Sequence, residues 1–517
     1  MELGHTGMDR PIRVPTVRAS SVSVLVALTL VGGSASASAS SYAPFAPEVS
    51  GLRFESCVEL TGSNVEGLEC GMLEVPLSTG DPGAGTVHLA VSRMRATDPG
   101  ARRGVLVVNP GGPGNTGLEY AATKGEKLPE EVRAAYDIIG FDPRGVAHST
   151  VSRPDRQPPA PIDCGPMGGL FDRPVPSTGR LTALPVLAAT ARDCATEVGP
   201  DAAEFGTDRV ADDIDAIRRA LGEERISMLG VSYGTLIADR YARRYGAHVD
   251  RFVLDSVVGP GPDGRDDWHA FGVRQAEALL DQRNSMFGWW ARHARHFGLG
   301  EDSAAVRRSY DAVRALSPSH GIGPDEFDRA VYRALGRTER WQPLGEALAR
   351  ARRDGDLAAL APVVPEVDDE RRNAEAANRT VVCADATRPL SVPEVLAGHQ
   401  RLERIDPQPI LTGIEADVCA FWPIAALADP PSPPRSEVAP RLLMVAGAQD
   451  PVTPVADAER RHRQWEGSGM ITATDTWSHG VFASQKISCV DDAVAEFLLG
   501  GASSDRVCTG TGLPEKP

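Results

Sequence analysis

Ser232, at the centre of a G-x-S-x-G motif at 230–234, is the residue whose setting most clearly suggests chemistry. A serine hydroxyl attacks a carbonyl carbon only when a base removes its proton. An apolar run at 226–229 precedes the motif, and a helical pattern at 233–245 follows it. This strand–turn–helix context predicts a nucleophile elbow, in which the glycines leave the room that flanking side chains would fill. The alternative is a small-residue turn of an ordinary α/β protein.

The base and the acid that such a serine needs follow it along the chain in the order Ser, Asp, His. Asp450 comes after an apolar run at 442–446, and His479 comes after another at 471–476. The carboxyl ends of neighbouring parallel strands meet at the edge of the sheet where ligands bind. We therefore expect a triad of Ser232 as nucleophile, His479 as general base and Asp450 as the acid that orients the imidazole.

Other residues are rivals for two of these roles. Asp255 ends a predicted strand at 252–254, so it remains an alternative acid. His462 follows the acid but lies in an arginine-rich helical stretch, and five more histidines precede the acid in a helical region. Their order and placement argue against all six as the base. The five are His269, His293, His296, His320 and His399.

A glycine-rich loop at 109–114 follows the predicted strand 105–108. An oxyanion needs preorganised N–H donors, and this loop occupies the position where one donor is expected. We expect the backbone N–H groups of Gly112 and Tyr233 to form the oxyanion hole. No Gly-Lys-Ser/Thr follows the loop, which excludes a phosphate-binding P-loop. The segment 142–145 after strand 138–141 is interpreted as a structural turn, with substrate binding as the alternative.

Strand and helix patterns alternate over most of the chain. A helix is predicted at 207–221, where Val210, Ile214, Ile217 and Leu221 form one apolar stripe and Thr207 is placed to cap it. Such alternation predicts an α/β fold with a mainly parallel eight-stranded sheet and helices on both faces. Strand signals nearly vanish at 259–435, which is interpreted as an inserted helical lid ending in a proline-rich connector at 430–434. The core then comprises residues 40–258 and 436–517.

The N-terminal 1–39 has basic residues, a short apolar run and then small residues, the order of a secretory signal peptide that is removed. The apolar run is too short to span a bilayer. A net charge of −16 argues against nucleic acid or an anionic membrane as a partner. We therefore expect a secreted, extracellular protein without a membrane span.

The chain has eight cysteines and no C-x-x-C pair, which gives little support to a zinc site. Eight cysteines allow 105 pairings. Export favours full oxidation, and the short spacings favour neighbouring partners. The predicted disulfides are Cys57–Cys70, Cys164–Cys194, Cys383–Cys419 and Cys489–Cys508.

Motifs at 109–114, 140–145, 230–235, 383–385, 419–423 and 450–454 resemble those of the secreted tripeptidyl aminopeptidases of actinobacteria. These enzymes are α/β-hydrolases related to proline iminopeptidases. The sequence departs at Ser478, where the family often has glycine before the catalytic histidine. The resemblance implies peptide substrates with free N-termini and release of short peptides, tripeptides among them.

In proline iminopeptidases, carboxylates of the lid hold the substrate ammonium group, but no motif transfers them residue by residue. Asp385 and Glu375 are the candidates here, with a structural turn as the alternative for Asp385. Thr453 is a third candidate at the active-site edge, with capping as its alternative.

Three functions therefore remain: a serine aminopeptidase, a carboxylic-ester hydrolase with the same triad, and a non-catalytic binding protein on a hydrolase scaffold. An intact order of the three triad residues argues against the third. Ser232 excludes the dehalogenase and epoxide hydrolase chemistry that needs an aspartate at the elbow. No metal or organic cofactor is implied.

Overall fold

A computed structural model describes residues 51–62, 64–164, 184–320, 324–360, 368–386, 388–406, 415–423 and 441–517. The predicted leader at 1–39, the connector at 430–434 and the predicted end of the insertion at 435 lie outside these residues. All described residues belong to one compact unit, Pro47–Pro517.

The described residues form one sheet of twelve strands. These are β1 (Glu55–Ser56), β2 (Leu68–Pro76), β3 (Thr86–Met94), β4 (Gly104–Asn109), β5 (Tyr136–Phe141), β6 (Thr150–Arg153), β7 (Arg156–Ala160), β8 (Ile226–Val231), β9 (Val249–Asp255), β10 (Leu442–Gly447), β11 (Gly469–Thr474) and β12 (Arg506–Thr509).

Fifteen α-helices lie in the same described part of the chain. They are α1 (Val58–Thr61), α2 (Tyr120–Gly125), α3 (Glu130–Ala135), α4 (Leu184–Val198), α5 (Thr207–Ala220), α6 (Tyr233–Arg244), α7 (Trp268–Arg292), α8 (Ala294–Phe297), α9 (Ser303–Leu316), α10 (Pro324–Ala334), α11 (Trp341–Asp354), α12 (Asp369–Ala384), α13 (Val392–Ile405), α14 (Val455–Gln464) and α15 (Ser488–Leu498). Short 3₁₀ helices occur at Pro200–Phe205, Gly246–His248, Ser317–His320, Thr338–Arg340, Leu357–Leu360 and Glu415–Phe421.

The strand order is β1-β2-β3-β5-β4-β8-β9-β10-β11-β12, with β6 beside β3 and β7 beside β6. Strands β1, β2, β3 and β5 pair antiparallel, and every pair from β5 through β4 to β12 is parallel. The predicted fold class is confirmed. Eight strands, β2 to β5 and β8 to β11, carry the mainly parallel sheet, and four short strands that the sequence did not reveal extend it.

The central strands are apolar on both faces because helices cover both sides of a parallel sheet. Successive residues of a strand point to opposite faces. Met228, Leu254 and Met444 accordingly enter one buried cluster, whereas Leu229 and Val445 enter a second cluster on the other face. Helix α5 adds its predicted stripe of Val210, Ile214 and Ile217 to the first cluster.

The described part of the interval between β9 and β10 is mainly helical. Over its described part the chain forms α7 to α13 and four of the 3₁₀ helices, with no strand. Trp289, Trp290 and Trp341 are buried in a third apolar cluster of this helical segment. Within this interval, α10 and α11 are separate helices, and Gly336 between them has φ of +75°.

The eight cysteines pair as predicted. The Cα–Cα distances are 4.8 Å for Cys57–Cys70, 4.1 Å for Cys164–Cys194, 5.2 Å for Cys383–Cys419 and 5.7 Å for Cys489–Cys508. The third disulfide joins the end of α12 to the 3₁₀ helix at Glu415–Phe421, and the fourth joins α15 to β12. No helix among the described residues is long and apolar enough to cross a membrane.

Candidate active site

Ser232 lies at the turn between β8 and α6 with φ of +59°, a conformation that side-chain-bearing residues seldom adopt. A Cβ on Gly230 would lie 2.2 Å from the carbonyl oxygen of Gly234, and one on Gly234 would lie 2.8 Å from that of Asn109. Both motif glycines are therefore required by backbone packing. The Ser232 N–H donates to the carbonyl oxygen of Asp255 at 3.0 Å, which fixes the turn to the end of β9.

Asp450 and His479 are brought together by the register of β10 and β11, which pairs Gly447 with Ala473. The Nδ1 atom of His479 lies 2.9 Å from Oδ2 and 3.2 Å from Oδ1 of Asp450. Because Nδ1 is engaged by the carboxylate, Nε2 is the ring nitrogen left to accept a proton.

Hydrogen bonds fix the Asp450 carboxylate. The N–H groups of Val452 and Thr453 donate to Oδ1 at 2.9 and 3.1 Å, and the Thr453 hydroxyl donates to Oδ2 at 2.9 Å. Burial disfavours the charge of Asp450, but His479 and hydrogen bonds from Ser256 and Thr453 keep its pKa below the ordinary value. Thr453, a substrate-binding candidate from the sequence, contacts the carboxylate and lies 3.4 Å from Nδ1 of His479.

The loop that carries His479 also contacts the helical segment. The His479 N–H donates to the carbonyl oxygen of Gly336 at 2.8 Å. Gln282 of α7 accepts from the Gly336 N–H at 2.6 Å and donates to the Trp477 carbonyl at 2.6 Å. Ser478, where the family often has glycine, lies with its hydroxyl 3.2 Å from that of Thr338. The serine thus adds a contact that glycine lacks.

The loop after β4 approaches the elbow closely. A Cβ on Gly111 would lie 2.8 Å from the Cβ of Ser232 and 2.9 Å from the backbone nitrogen of Tyr233. No side chain therefore fits at this position. The Gly111 N–H donates to Asn109 Oδ1 at 2.9 Å. Gly112 is exposed, and among the described residues no acceptor lies within hydrogen-bonding distance of its N–H. The Tyr233 N–H belongs to the first residue of α6, where helical amides lack intrahelical partners.

Asp385 lies just after α12 and caps the start of α5. Its carboxylate accepts the N–H of Thr207 at 2.7 Å, the Thr207 hydroxyl at 2.6 Å and the indole N–H of Trp268 at 3.2 Å. Thr207 is consequently the first helical residue, and Gly206 occupies the cap position predicted for Thr207. Burial raises the pKa of Asp385, and these hydrogen bonds oppose the increase. With three donors already bound, Asp385 fits the structural alternative better than ammonium recognition.

Glu375 lies within α12, close to the glycine-rich loop. The neighbouring Ala374 carbonyl oxygen would lie 2.1 Å from a Cβ on Gly114, so this helix packs directly on the loop. The Glu375 carboxylate accepts from Arg371 at 2.9 Å and lies 3.5 Å from Nη2 of Arg379. The structure therefore places Glu375 next in sequence to the residue that packs on the glycine-rich loop, and its carboxylate pairs with arginines of its own helix.

A family model described as the alpha/beta hydrolase fold matches residues 104–472. The chain belongs to this family. It is 30% identical over 463 residues to a tripeptidyl aminopeptidase of Streptomyces coelicolor, which covers 86% of this chain and 83% of that protein. It is 30% identical over 474 residues to the serine protease Hip1 of Mycobacterium tuberculosis, covering 84% and 86%.

A third relative carries a different name. The chain is 31% identical over 481 residues to Carboxylesterase B of Mycobacterium tuberculosis, which covers 89% of this chain and 90% of that protein. Together the relatives confirm the resemblance to the tripeptidyl aminopeptidase group. They establish the chain as a serine hydrolase of the α/β-hydrolase family.

The rival residues make other contacts in this α/β-hydrolase. His462 is on α14, with Nδ1 2.7 Å from the Ser468 hydroxyl. His269 and His399 both contact the carboxylate of Asp417 in the helical segment. Asp255 is buried at the end of β9 and accepts the N–H groups of Val481 and Phe482 rather than the imidazole.

The segment 142–145 is a structural turn in the structure. Asp142 accepts the N–H groups of Gly117 and Leu118 at 2.7 and 3.1 Å. The Arg144 guanidinium is buried against Asp213. No group of three or more His, Cys, Asp or Glu side chains in the described ranges is arranged to hold a metal ion.

Sequence reasoning assigns no role to Ser256 or Lys124. Ser256 follows a strand in an unremarkable small-residue stretch, and Lys124 is one charge in a short helix. Both are buried beside the loop that carries His479. The position of their neighbour Asp255 at a strand end is the one signal in the sequence. That position suggests an alternative triad acid and not a residue that holds the loop of His479.

Proposed function

We propose that this serine hydrolase is a secreted exopeptidase that releases short peptides, tripeptides in particular, from the free N-termini of its substrates. The observation that carries the proposal is the 2.9 Å contact of His479 Nδ1 with Asp450 at the sheet edge where the Ser232 elbow also lies. The relatives named tripeptidyl aminopeptidase and serine protease support peptide substrates.

In the proposed reaction, Nε2 of His479 takes the proton of Ser232 as Oγ attacks the substrate carbonyl carbon. The N–H groups of Gly112 and Tyr233 bind the negative oxygen of the tetrahedral intermediate. The imidazolium, stabilised by Asp450, then gives its proton to the leaving amine as the C–N bond breaks. Water attacks the remaining acyl-enzyme in a second cycle of the same steps and restores Ser232.

The helical insertion at 259–435 is proposed to act as the lid. Two of its segments border the triad from opposite sides: Gly336 contacts His479, and the helix around Ala374 contacts Gly114 of the oxyanion loop. Asn373 adds bonds to the backbone of Gly145 and Ala147 at 3.0 and 2.7 Å. A cover anchored on both sides blocks the passage of a long chain and favours cleavage near a terminus.

A substrate ammonium group under this cover needs a carboxylate partner, since an unpaired buried charge is very costly. Of the two candidate acids, Glu375 is the one retained, because Asp385 already binds three donors. Glu375 is almost buried and one residue from the helix position that contacts Gly114. Its arginine partners would have to share it with the substrate.

Secretion is supported by the four disulfides, which form and persist in oxidising compartments. The leader pattern at 1–39 is the second support. The measurement is N-terminal sequencing of protein from the culture medium. A mature N-terminus near residue 40 is expected, and retention of the leader in the cell contradicts the proposal.

An acyl esterase with the same triad is the second candidate, favoured by the relative named Carboxylesterase B. The two functions differ in how they treat the substrate N-terminus. A free tripeptide anilide, its N-acetylated form and a butyrate ester are compared under identical conditions, with Ser232→Ala as the blank. Acetylation removes the charge, so loss of one charged contact of about 1.5 kcal/mol should lower kcat/KM at least about tenfold. Equal rates on both anilides, or a strong preference for the ester, supports the esterase.

A further inference from the structure

A buried dipeptide at the end of β9, Asp255-Ser256, contacts all three segments that carry the triad. The Asp255 carbonyl oxygen accepts the N–H of Ser232 at 3.0 Å. The Asp255 carboxylate accepts the N–H groups of Val481 and Phe482, each at 3.0 Å, just after His479. One aspartate thus fixes the nucleophile turn through its backbone and the histidine loop through its side chain.

Ser256 completes the set of contacts. Its hydroxyl accepts the Gly480 N–H at 2.8 Å and helps to keep the pKa of the Asp450 carboxyl below its ordinary value. Its own N–H donates to the carbonyl of Val445, on the strand that leads to Asp450. The residue has φ of +57°, which is unfavourable for any side chain and persists only where the surroundings enforce it. The strained residue thus joins the histidine loop through its hydroxyl and the strand that leads to Asp450 through its backbone.

Lys124 adds a positive charge to these contacts, from the helix that follows the glycine-rich loop. It belongs to α2, the first helix after the glycine-rich loop, and its side chain is buried. Its Nζ atom donates to the Phe482 carbonyl oxygen at 2.5 Å and to the Ser484 hydroxyl at 3.0 Å. In the same loop the Ala483 N–H donates to Asp491 at 2.7 Å. The histidine loop is therefore held between β9, α2 and α15.

We propose that Asp255, Ser256 and Lys124 are positioning residues for the triad, and that the negative charge of Asp255 also stabilises the imidazolium formed on His479. The inference rests on the proposed function, because it assigns His479 as the base. The charge of His479 rises only during the reaction, so a nearby fixed carboxylate acts more strongly on the transition state than on the bound substrate. These residues should therefore affect kcat more than KM.

The ionisation of Asp255 and Lys124 determines the pH range over which both residues are charged. Burial raises the pKa of Asp255 to about 6, although Lys124 and the loop N–H groups oppose it. Burial lowers the pKa of Lys124 to about 8, although Asp255 opposes it. Both are charged between these values. The other titratable groups facing them are His479, Tyr120, Asp491 and Lys127.

Removing the charge of Asp255 should move the acid limb of the pH profile of kcat/KM in one direction, and removing the charge of Lys124 should move it in the other. Asp255→Asn takes away a negative charge that favours protonated His479, so the limb moves to lower pH. Lys124→Met takes away the cation that keeps Asp255 ionised. The Asp255 carboxylate is then charged only at higher pH, so the acid limb moves to higher pH. At pH 7.5 we expect kcat to fall about 100-fold in Asp255→Asn and about tenfold in Lys124→Met and in Ser256→Ala, each with KM within about threefold.

The measurement is turnover of a chromogenic ester from pH 5 to 9, together with labelling by a fluorophosphonate. An ester is used because it reports the triad whatever the peptide preference is. Asp239→Asn is the matched control: Asp239 is an equally buried aspartate that pairs with Arg461 and Arg243 and does not contact the histidine loop. It should lower stability and leave the acid limb in place.

Two results overturn the inference: kcat within threefold of wild type in Asp255→Asn, or reduced kcat in the variants with unmoved acid limbs. The second result would make the network merely structural. If Asp255→Asn fails to fold, Lys124→Met and Ser256→Ala test the same inference. Retained labelling and turnover in Ser232→Ala would instead remove the proposed function itself, so the two failures are distinguishable.

Discussion

The edge of the sheet and the helical insertion build the site in different ways. At the sheet edge, strand ends and backbone hydrogen bonds fix Ser232, Asp450 and His479, and Asp255 links their segments. The insertion contacts the site through side chains that hydrogen-bond backbone groups of the core, such as Gln282. On the proposed function, the sheet edge positions the reacting atoms and the insertion acts as their cover.

This contrast has a kinetic consequence. Changes at the sheet edge should lower kcat, because they remove groups that act in the transition state. Changes where the insertion docks should raise KM or alter substrate choice, because they loosen the cover without moving the triad. The separate effects of variants in the two regions on kcat and on KM therefore test the comparison.

Ser232→Ala should have the largest effect. Without a nucleophile, kcat is expected to fall by roughly 10⁴-fold or more, as for other triad members. The fold should remain, since the hydroxyl makes few packing contacts. Turnover of the ester and of a tripeptide anilide, with thermal unfolding, provides the check. Ser285→Ala on α7 is the control with full activity. Near-normal turnover in Ser232→Ala, with contamination excluded, ends the assignment of the nucleophile.

Gly111→Ala tests the close approach of the oxyanion loop to the elbow. The new Cβ would lie 2.5 Å from the Val231 carbonyl oxygen at φ of +92°, so loop or elbow must shift. Misplaced N–H donors should reduce kcat about 100-fold. Gly298→Ala is matched in its positive φ of +66° but has nothing within 4 Å, and it isolates the backbone strain. Similar kinetics in the two variants would contradict the steric argument.

Asn373→Ala probes the insertion. Its loss leaves the N–H of Ala147 and the carbonyl groups of Gly145 and Ile162 without their side-chain partner. Helix α12 should dock less firmly, so KM for the tripeptide anilide is expected to rise about tenfold, or about 1.4 kcal/mol, with kcat within threefold. The exposed Asn284→Ala on α7 serves as control. A fall in kcat at unchanged KM would show that the insertion, too, positions the reacting atoms.

The same contrast explains what the sequence predicted. Parallel strands end at one edge, so a serine, an aspartate and a histidine that each follow an apolar run had to lie near one another. The Asp450–His479 contact was predictable in this way. The short strands β6, β7 and β12 were not, because few apolar residues distinguish them from loops.

Contacts of the insertion were beyond sequence reasoning for a related reason. Asp385 binds Thr207 across 178 positions of the chain, and no periodicity connects the two residues. Glu375 was recognisable as an acid, but its pairing with Arg371 and Arg379 depends on the helix register. Asp255 was placed correctly at a strand end, yet whether it meets the imidazole or the backbone after it depends on the loop conformation.

The smallest expected effects concern the pH dependence of stability, and here the two regions should differ in sign. In the core, Asp239 is buried, but Arg461 and Arg243 hold its pKa well below the ordinary value. Its contribution is fully present above the ordinary carboxyl pKa of about 4 and is lost as the pH falls. In the insertion, burial opposes the charge of His269, but Asp417 at 3.2 Å raises its pKa.

The contribution of His269 is therefore fully present below the ordinary imidazole pKa of about 6.5 and is lost as the pH rises through the higher folded value. His269→Gln should destabilise the protein by on the order of 1 kcal/mol at pH 6, the strength of one charge-assisted hydrogen bond, and by less at pH 8.5. Asp239→Asn should destabilise equally at both pH values. Urea unfolding of the two variants and wild type at pH 6 and 8.5 measures this. A His269→Gln difference that grows with pH would contradict the pairing of a protonated His269 with Asp417.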